Sequence, residues 1–275
     1  MDIKDITVVV DQRGERPALP IAIDLANRLG GHLTGLTLVY DPVVPGYAVA
    51  PVPVDFMISA RDEAIKGAKS AEAAFLAAVG TGGLSAETRQ VEIISAGGLD
   101  EVVHELRLAD LVIVAQDDPD QPEPVREALI ESVLFHAGAP LLIVPRKDAP
   151  ATLSLDRVVI AWDGTITAAR SVRSALPFLG AAKAVDIVIV DDGKELPTGQ
   201  RVTGYLKRHG IEATVHTLPN PHKDVAGVLR EQAEASGAGL IVMGAYGHSR
   251  LLEWILGGAT RGMLRKQTVP ILMAH

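Results

Sequence analysis

Short runs of consecutive apolar residues, rich in Val and Ile, alternate along the chain with longer stretches in which apolar residues recur every three or four positions. The runs read as strands buried on both faces and the longer stretches as helices with one apolar stripe, so the pattern predicts parallel α/β sheets. In the first half the strands fall near Ile6–Asp11, His32–Tyr40, Thr88–Ile94, Leu111–Ala115 and Leu141–Val144. In the second they fall near Arg157–Asp163, Ala184–Val190, Glu212–Thr217, Gly239–Gly244 and Ile271–Ala274. Between the first two strands of the second half, Ala168, Val172, Ala175, Leu176 and Leu179 line one face of a single predicted helix.

The two halves correspond residue by residue as well as in pattern. Val8-Val9-Val10-Asp11 matches Ile160-Ala161-Trp162-Asp163, and Ala139-Pro140-Leu141-Leu142-Ile143 matches Val269-Pro270-Ile271-Leu272-Met273. This is the mark of a tandem duplication. The offset falls from 152 residues between Asp11 and Asp163 to 130 between Pro140 and Pro270, so the first half carries about 22 extra residues. They lie mostly around the Pro-rich stretch Asp41–Asp55 and in the helix after it. Pro145-Arg146-Lys147-Asp148-Ala149-Pro150 has the composition of a linker, which gives domains at 1–147 and 154–275.

Composition narrows the class. At 275 residues, 48% hydrophobic and 22% charged, the chain can bury a large core divided between two domains. It has no Cys, which removes disulfides and thiolate-bound metal and suits a reducing compartment. The chain opens on a strand, with no basic segment leading into an apolar stretch and a cleavage site, and no apolar run is long enough to span a bilayer. A cytoplasmic location is expected. A net charge of −8 argues against general binding to nucleic acid or anionic membrane.

One stretch carries candidate chemistry. Leu240-Ile241-Val242-Met243 runs into Gly244-Ala245-Tyr246-Gly247, and nine residues after Gly247 comes Gly257-Gly258-Ala259-Thr260, which opens a predicted helix. Glycine at a strand end lets backbone N–H groups turn toward a ligand with no Cβ in the way, and a following helix start adds unpaired donors. The spacing of glycines alone is weak; strand before, helix after and the closing strand Pro270-Ile271-Leu272-Met273 supply the context that an anion site needs.

With these residues the chain resembles the universal stress protein family, in a tandem form with two family domains in one chain. The resemblance covers nearly the whole sequence and is strongest from Gly244 through Gly257, which fits the family's nucleotide motif of Gly, two residues, Gly, nine residues, Gly and then Ser or Thr. It implies two Rossmann-like, doubly wound five-stranded parallel sheets of order 3-2-1-4-5, packed as a pseudo-twofold pair through their final strands. In such a sheet the ligand crevice lies where the strand order reverses. Carried over by position, Asp163 would sit beside adenine and ribose, and the backbone near Val190 would read the adenine edge. Gly244, Gly247, His248, Gly257 and Gly258 would wrap the phosphates, joined by the N–H groups of Ala259 and Thr260. The implied ligand is ATP or a related adenine nucleotide, with or without Mg. Gly258 departs from the motif, since nucleotide-binding members have Ser or Thr there; Thr260 is the nearest hydroxyl that could stand in.

The first half departs further. Ala115-Gln116-Asp117-Asp118-Pro119-Asp120 stands where the second half has its glycine turn, so both glycines are lost and three carboxylates arrive. Phosphate would be repelled there. Asp11 and Asp163 have no base or nucleophile partner visible in the sequence, and a strand-end Asp that caps the next helix is the simpler reading. His248 and Arg250 could neutralise phosphate or be ordinary loop residues, and Leu251, Leu252, Trp254 and Ile255 read as packing. Trp162 and Tyr246 flank the crevice and carry the same two readings. The eight His residues form no metal-binding helix pattern, and no Gly-x4-Gly-Lys-Ser/Thr loop is present to drive rapid ATP hydrolysis. A regulatory nucleotide-binding stress protein, not an enzyme, is the expectation. A ligand-free interaction module is the alternative, with a nucleotide-using enzyme third. Further homo-oligomerisation and protein partners stay open.

Overall fold

The computed structural model describes residues 2–40, 53–93, 98–117, 123, 125–191, 193, 197–222, 224–245 and 259–275. In the first half the elements are β1 (Asp5–Val9), α1 (Ala18–Leu29), β2 (His32–Tyr40), α2 (Val54–Val79), β3 (Ala86–Ile93), α3 (Asp100–Leu106), β4 (Leu111–Ala115), α4 (Arg126–Ser132) running into a π-helical turn at Val133–Ala137, and β5 (Leu141–Val144). The second half repeats the order with β6 (Val158–Ala161), α5 (Ile166–Ser174), α6 (Leu176–Ala181), β7 (Val185–Asp191), α7 (Gln200–Arg208), β8 (Thr214–Pro219), α8 (Val225–Ser236), β9 (Leu240–Gly244), α9 (Ala259–Arg265) and β10 (Ile271–Ala274).

All ten strands form one sheet of order β3-β2-β1-β4-β5-β10-β9-β6-β7-β8. Each half is parallel with the expected order 3-2-1-4-5, and the halves join by antiparallel pairing of β5 with β10, Leu142 opposite Leu272. Every residue of these two strands is buried, as continuous Leu, Ile, Val and Met runs require. Polar contacts reinforce the seam: Gln267 Nε2 donates to Ile143 O at 2.5 Å, and Gln116 Nε2 donates to Leu264 O at 2.7 Å.

Helices cover both faces, and each face has a core that runs across both halves. One is built on Ile21, Leu25 and Phe75 together with Val172, Phe178 and Leu206; the other on Val102, Leu106 and Leu129 with Leu229 and Met263. The single helix expected through Ala168 and Leu179 is two, broken at Ala175. Pro177 has no N–H to donate back along the helix, and the chain re-starts with Phe178 N and Leu179 N both bonded to Ala175 O. The apolar face survives the break, because Ala168, Val172, Ala175 and Leu179 are all buried. The first half's extra length falls where expected: α2 has 26 residues against 9 in α7. Asp55 belongs to its first turn, and 41–52 lie outside the described residues.

Candidate functional site

In the second half the strand order reverses between β6 and β9, which lie side by side in parallel register with Val159 opposite Ile241. Their C-terminal ends, with that of β7 beside them, define the crevice edge. β6 ends at Ala161, so Asp163 lies just past the strand instead of closing it, on an exposed turn. Asp163 Oδ1 accepts from Thr165 N at 2.9 Å and from Thr165 Oγ1 at 2.7 Å. Thr165 in turn caps α5, its hydroxyl accepting from Ala168 N at 3.2 Å. The Asp therefore braces the capping residue of the next helix, one step removed from the capping role foreseen for it.

Gly244 does close β9. A Cβ on Gly244 would stand 2.5 Å from Ala168 N and 2.6 Å from Thr167 Oγ1, so only glycine lets the first turn of α5 approach this strand end. Val190 lies half-buried one residue before the end of β7, paired with Leu218. Ala259 and Thr260 open α9, with Thr260 buried. That helix is fixed on α8, since a Cβ on Gly262 would meet Ala226 Cβ at 2.7 Å and Arg230 Nη1 donates to Gly262 O. Asp163, Val190 and Gly244 thus lie at or next to the C-terminal ends of three adjacent strands on one edge. Gly247, His248, Gly257 and Gly258 lie outside the described residues, as do Tyr246, Arg250, Leu251, Leu252, Trp254 and Ile255. Trp162 is half-buried against the core on the α5 and α7 side.

The matching position in the first half is built differently. Asp11 is 2% exposed, and its carboxylate meets the guanidinium of Arg126, which is 1% exposed. Arg126 Nη2 also binds Glu123 Oε2 at 2.6 Å, and Arg146 Nη2 lies 3.4 Å from Asp11 Oδ1. Burial pushes the Asp11 carboxyl above the usual carboxylate range; the charges of Arg126 and Arg146 pull in the opposite direction without cancelling it. Asp11 Oδ2 and Arg126 Nε and Nη1 are buried with no hydrogen-bond partner among the described residues. Asp11 is thus not a partnerless strand-end Asp. Its partner is an Arg 115 residues away, brought to it by the topology. Of the three carboxylates read as repelling phosphate, Asp117 accepts from Glu123 N at 3.3 Å, while Asp118 and Asp120 lie outside the described residues. Among the described residues no group of His, Asp and Glu could hold a metal ion, and no helix is long and apolar enough to cross a membrane.

The fold and this crevice define a class: a doubly wound α/β unit, duplicated in tandem and fused through its final strands. A universal stress protein from Archaeoglobus fulgidus DSM 4304 superposes over 98% of this chain and 96% of its own, with a TM-score of 0.71 at 17% identity. A functionally unknown protein from Pseudomonas aeruginosa PAO1 does so over 99% and 92%, with a TM-score of 0.61 at 18% identity. In sequence, a universal stress protein of Synechocystis sp. is 30% identical over 157 residues, 53% of this chain and 50% of that protein. The chain thus spans about half the length of the curated relative it matches. No family model matches the chain. The resemblance read from the sequence is borne out: this is the universal stress protein fold twice over in one chain, with sequence kinship to that family along part of it.

Proposed function

We propose that the protein is a stress-response protein whose second half binds ATP or a related adenine nucleotide as a regulatory ligand, and whose first half does not. The observation that carries this reading is the contrast between the two crevices. At the reversal of strand order the first half holds a buried Asp11–Arg126 pair, so a guanidinium already occupies the neighbourhood of the Asp. At the same place in the second half Asp163 is exposed, held by neutral Thr165, next to a glycine-ended strand. An exposed turn beside a glycine-ended strand leaves room for an anion, whereas a buried ion pair resists the insertion of one.

Titration of the full chain with ATP by calorimetry, together with mass spectrometry of co-purified nucleotide, tests the reading. One nucleotide per chain is expected, lost in Gly247→Val, where a β-branched residue obstructs the glycine turn. Two equivalent sites, or one site retained in Gly247→Val, would overturn it. A specific observation favours the second reading, a ligand-free interaction module: the close approach of Ala168 and Thr167 accounts for Gly244 with no ligand at all. Absence of any nucleotide binding by the full chain decides for that module.

A further inference from the structure

The groove between α5 and α7 contains a cavity of about 480 Å³, in the size range of small-molecule sites. Its origin lies in the duplication. Gly164, at φ +79°, stands where the first half has Gln12. Gln12 is 4% exposed, donates its amide to Leu38 O, and fits so closely under α2 that a Cβ on Gly67 would lie 2.6 Å from its Oε1. In the second half that side chain is absent and the covering helix has lost about two thirds of its length. The open groove that results lies beside Asp163 and presents both apolar and charged surface.

The walls specify its chemistry. Val172 and Val202, 2% and 4% exposed, form the floor, and Trp162 and Tyr205 supply aromatic surface. Arg173 and Arg201 are exposed at the mouth, and neither has a carboxylate partner among the described residues. On a chain of net charge −8, two uncommitted guanidiniums around an apolar, aromatic hollow select an anion with a flat apolar body. The Trp162 indole N–H is buried and has no acceptor among the described residues, whereas buried indoles ordinarily have one. A cavity of about 550 Å³ beside β3 is lined instead by Glu92, Glu101, Glu105 and Arg89, with Arg89 and Glu105 already paired.

We propose that this cavity is a second ligand site, distinct from the strand-end crevice, that takes a small aromatic or apolar carboxylate or sulfonate. The probe is 1-anilinonaphthalene-8-sulfonate, titrated into the full chain carrying Trp254→Phe, so that Trp162 is the sole tryptophan. One probe per chain is expected, its emission rising as Trp162 emission falls. Arg201→Glu should weaken binding roughly tenfold or more, the effect of losing one charged contact. Ala169→Phe, which places a ring in the cavity from α5, should remove binding. Saturating ATP should leave the probe in place. Unchanged affinity in Arg201→Glu, an unquenched Trp162, or displacement of the probe by ATP would each overturn the proposal. Arg201 is exposed, so its variant decides the matter even if Ala169→Phe fails to fold.

Discussion

Replacing Arg126 with Met removes a guanidinium that is almost wholly buried while keeping most of the side-chain stem. Asp11 would then be left with Arg146 alone, 3.4 Å from Oδ1, and Glu123 would lose its 2.6 Å contact. Removing one partner of a buried pair costs about 3–5 kcal/mol, because the surviving charge stays in a low-dielectric site. That is a large share of the roughly 5–15 kcal/mol that holds a typical domain together. In urea the midpoint should fall by roughly 1–2 M. The sign of the pH dependence follows from Asp11. Its carboxyl is already raised from the usual 3.8 by burial, and loss of Arg126 raises it further. A carboxyl with a raised folded-state pKa holds its proton more tightly in the folded chain, so its favourable contribution is full below the unfolded value and disappears as pH rises through the folded one. The deficit of Arg126→Met relative to wild type should therefore be greatest at neutral pH and narrow on acidification. Asp11→Leu combined with Arg126→Met should recover most of the loss, since apolar replacement of both partners is commonly neutral or stabilising. A neutral-pH deficit below about 1 kcal/mol, the level of an exposed pair, or one that does not shrink in acid, would refute the reasoning.

Gly244→Ala should lower the urea midpoint by the equivalent of about 1–3 kcal/mol, because its Cβ meets backbone at Ala168 that cannot rotate away; wild-type stability would show that α5 moves freely. Gln267→Leu deletes the donor shared by Ile143 O and Val269 O and should cost about 1–2 kcal/mol in thermal unfolding, weakening the contact between the halves. An unchanged midpoint would mean that the seam rests on its strands alone.

The bounds of β2 and of the unbroken apolar runs β4, β5 and β10 are those that the pattern of the sequence gives. Ends were less so. At β6 the apolar pattern runs on to Trp162, but the ladder stops at Ala161, where the chain begins the turn held by Asp163 and Thr165. The break before α6 was legible in principle through Pro177, and the apolar stripe hid it because both pieces keep the same face inward. Duplication and family resemblance together placed Asp163, Val190 and Gly244 on one edge. The packing of Thr167 and Ala168 against Gly244 could not be read, since it depends on the closeness of a helix and a strand 76 residues apart. Arg126 was missed for the same reason. Nothing in its neighbourhood marks it, and only the parallel neighbours β1 and β4 bring α4 to Asp11.

Two identical chains joined edge to edge across a twofold axis would present equal poles. Here β5 and β10 run antiparallel within one chain, so the C-terminal ends of the two parallel sets face opposite ways along a continuous sheet. The pole at Asp11 is stoppered by its own arginine; at the pole of Asp163 the described residues place only Thr165 on the carboxylate. Fusion has thereby turned a symmetric object into one with a direction. A molecule that engages the Asp163 pole is joined to the other through ten hydrogen-bonded strands and the cores on both their faces, and it meets a surface that occurs once per chain.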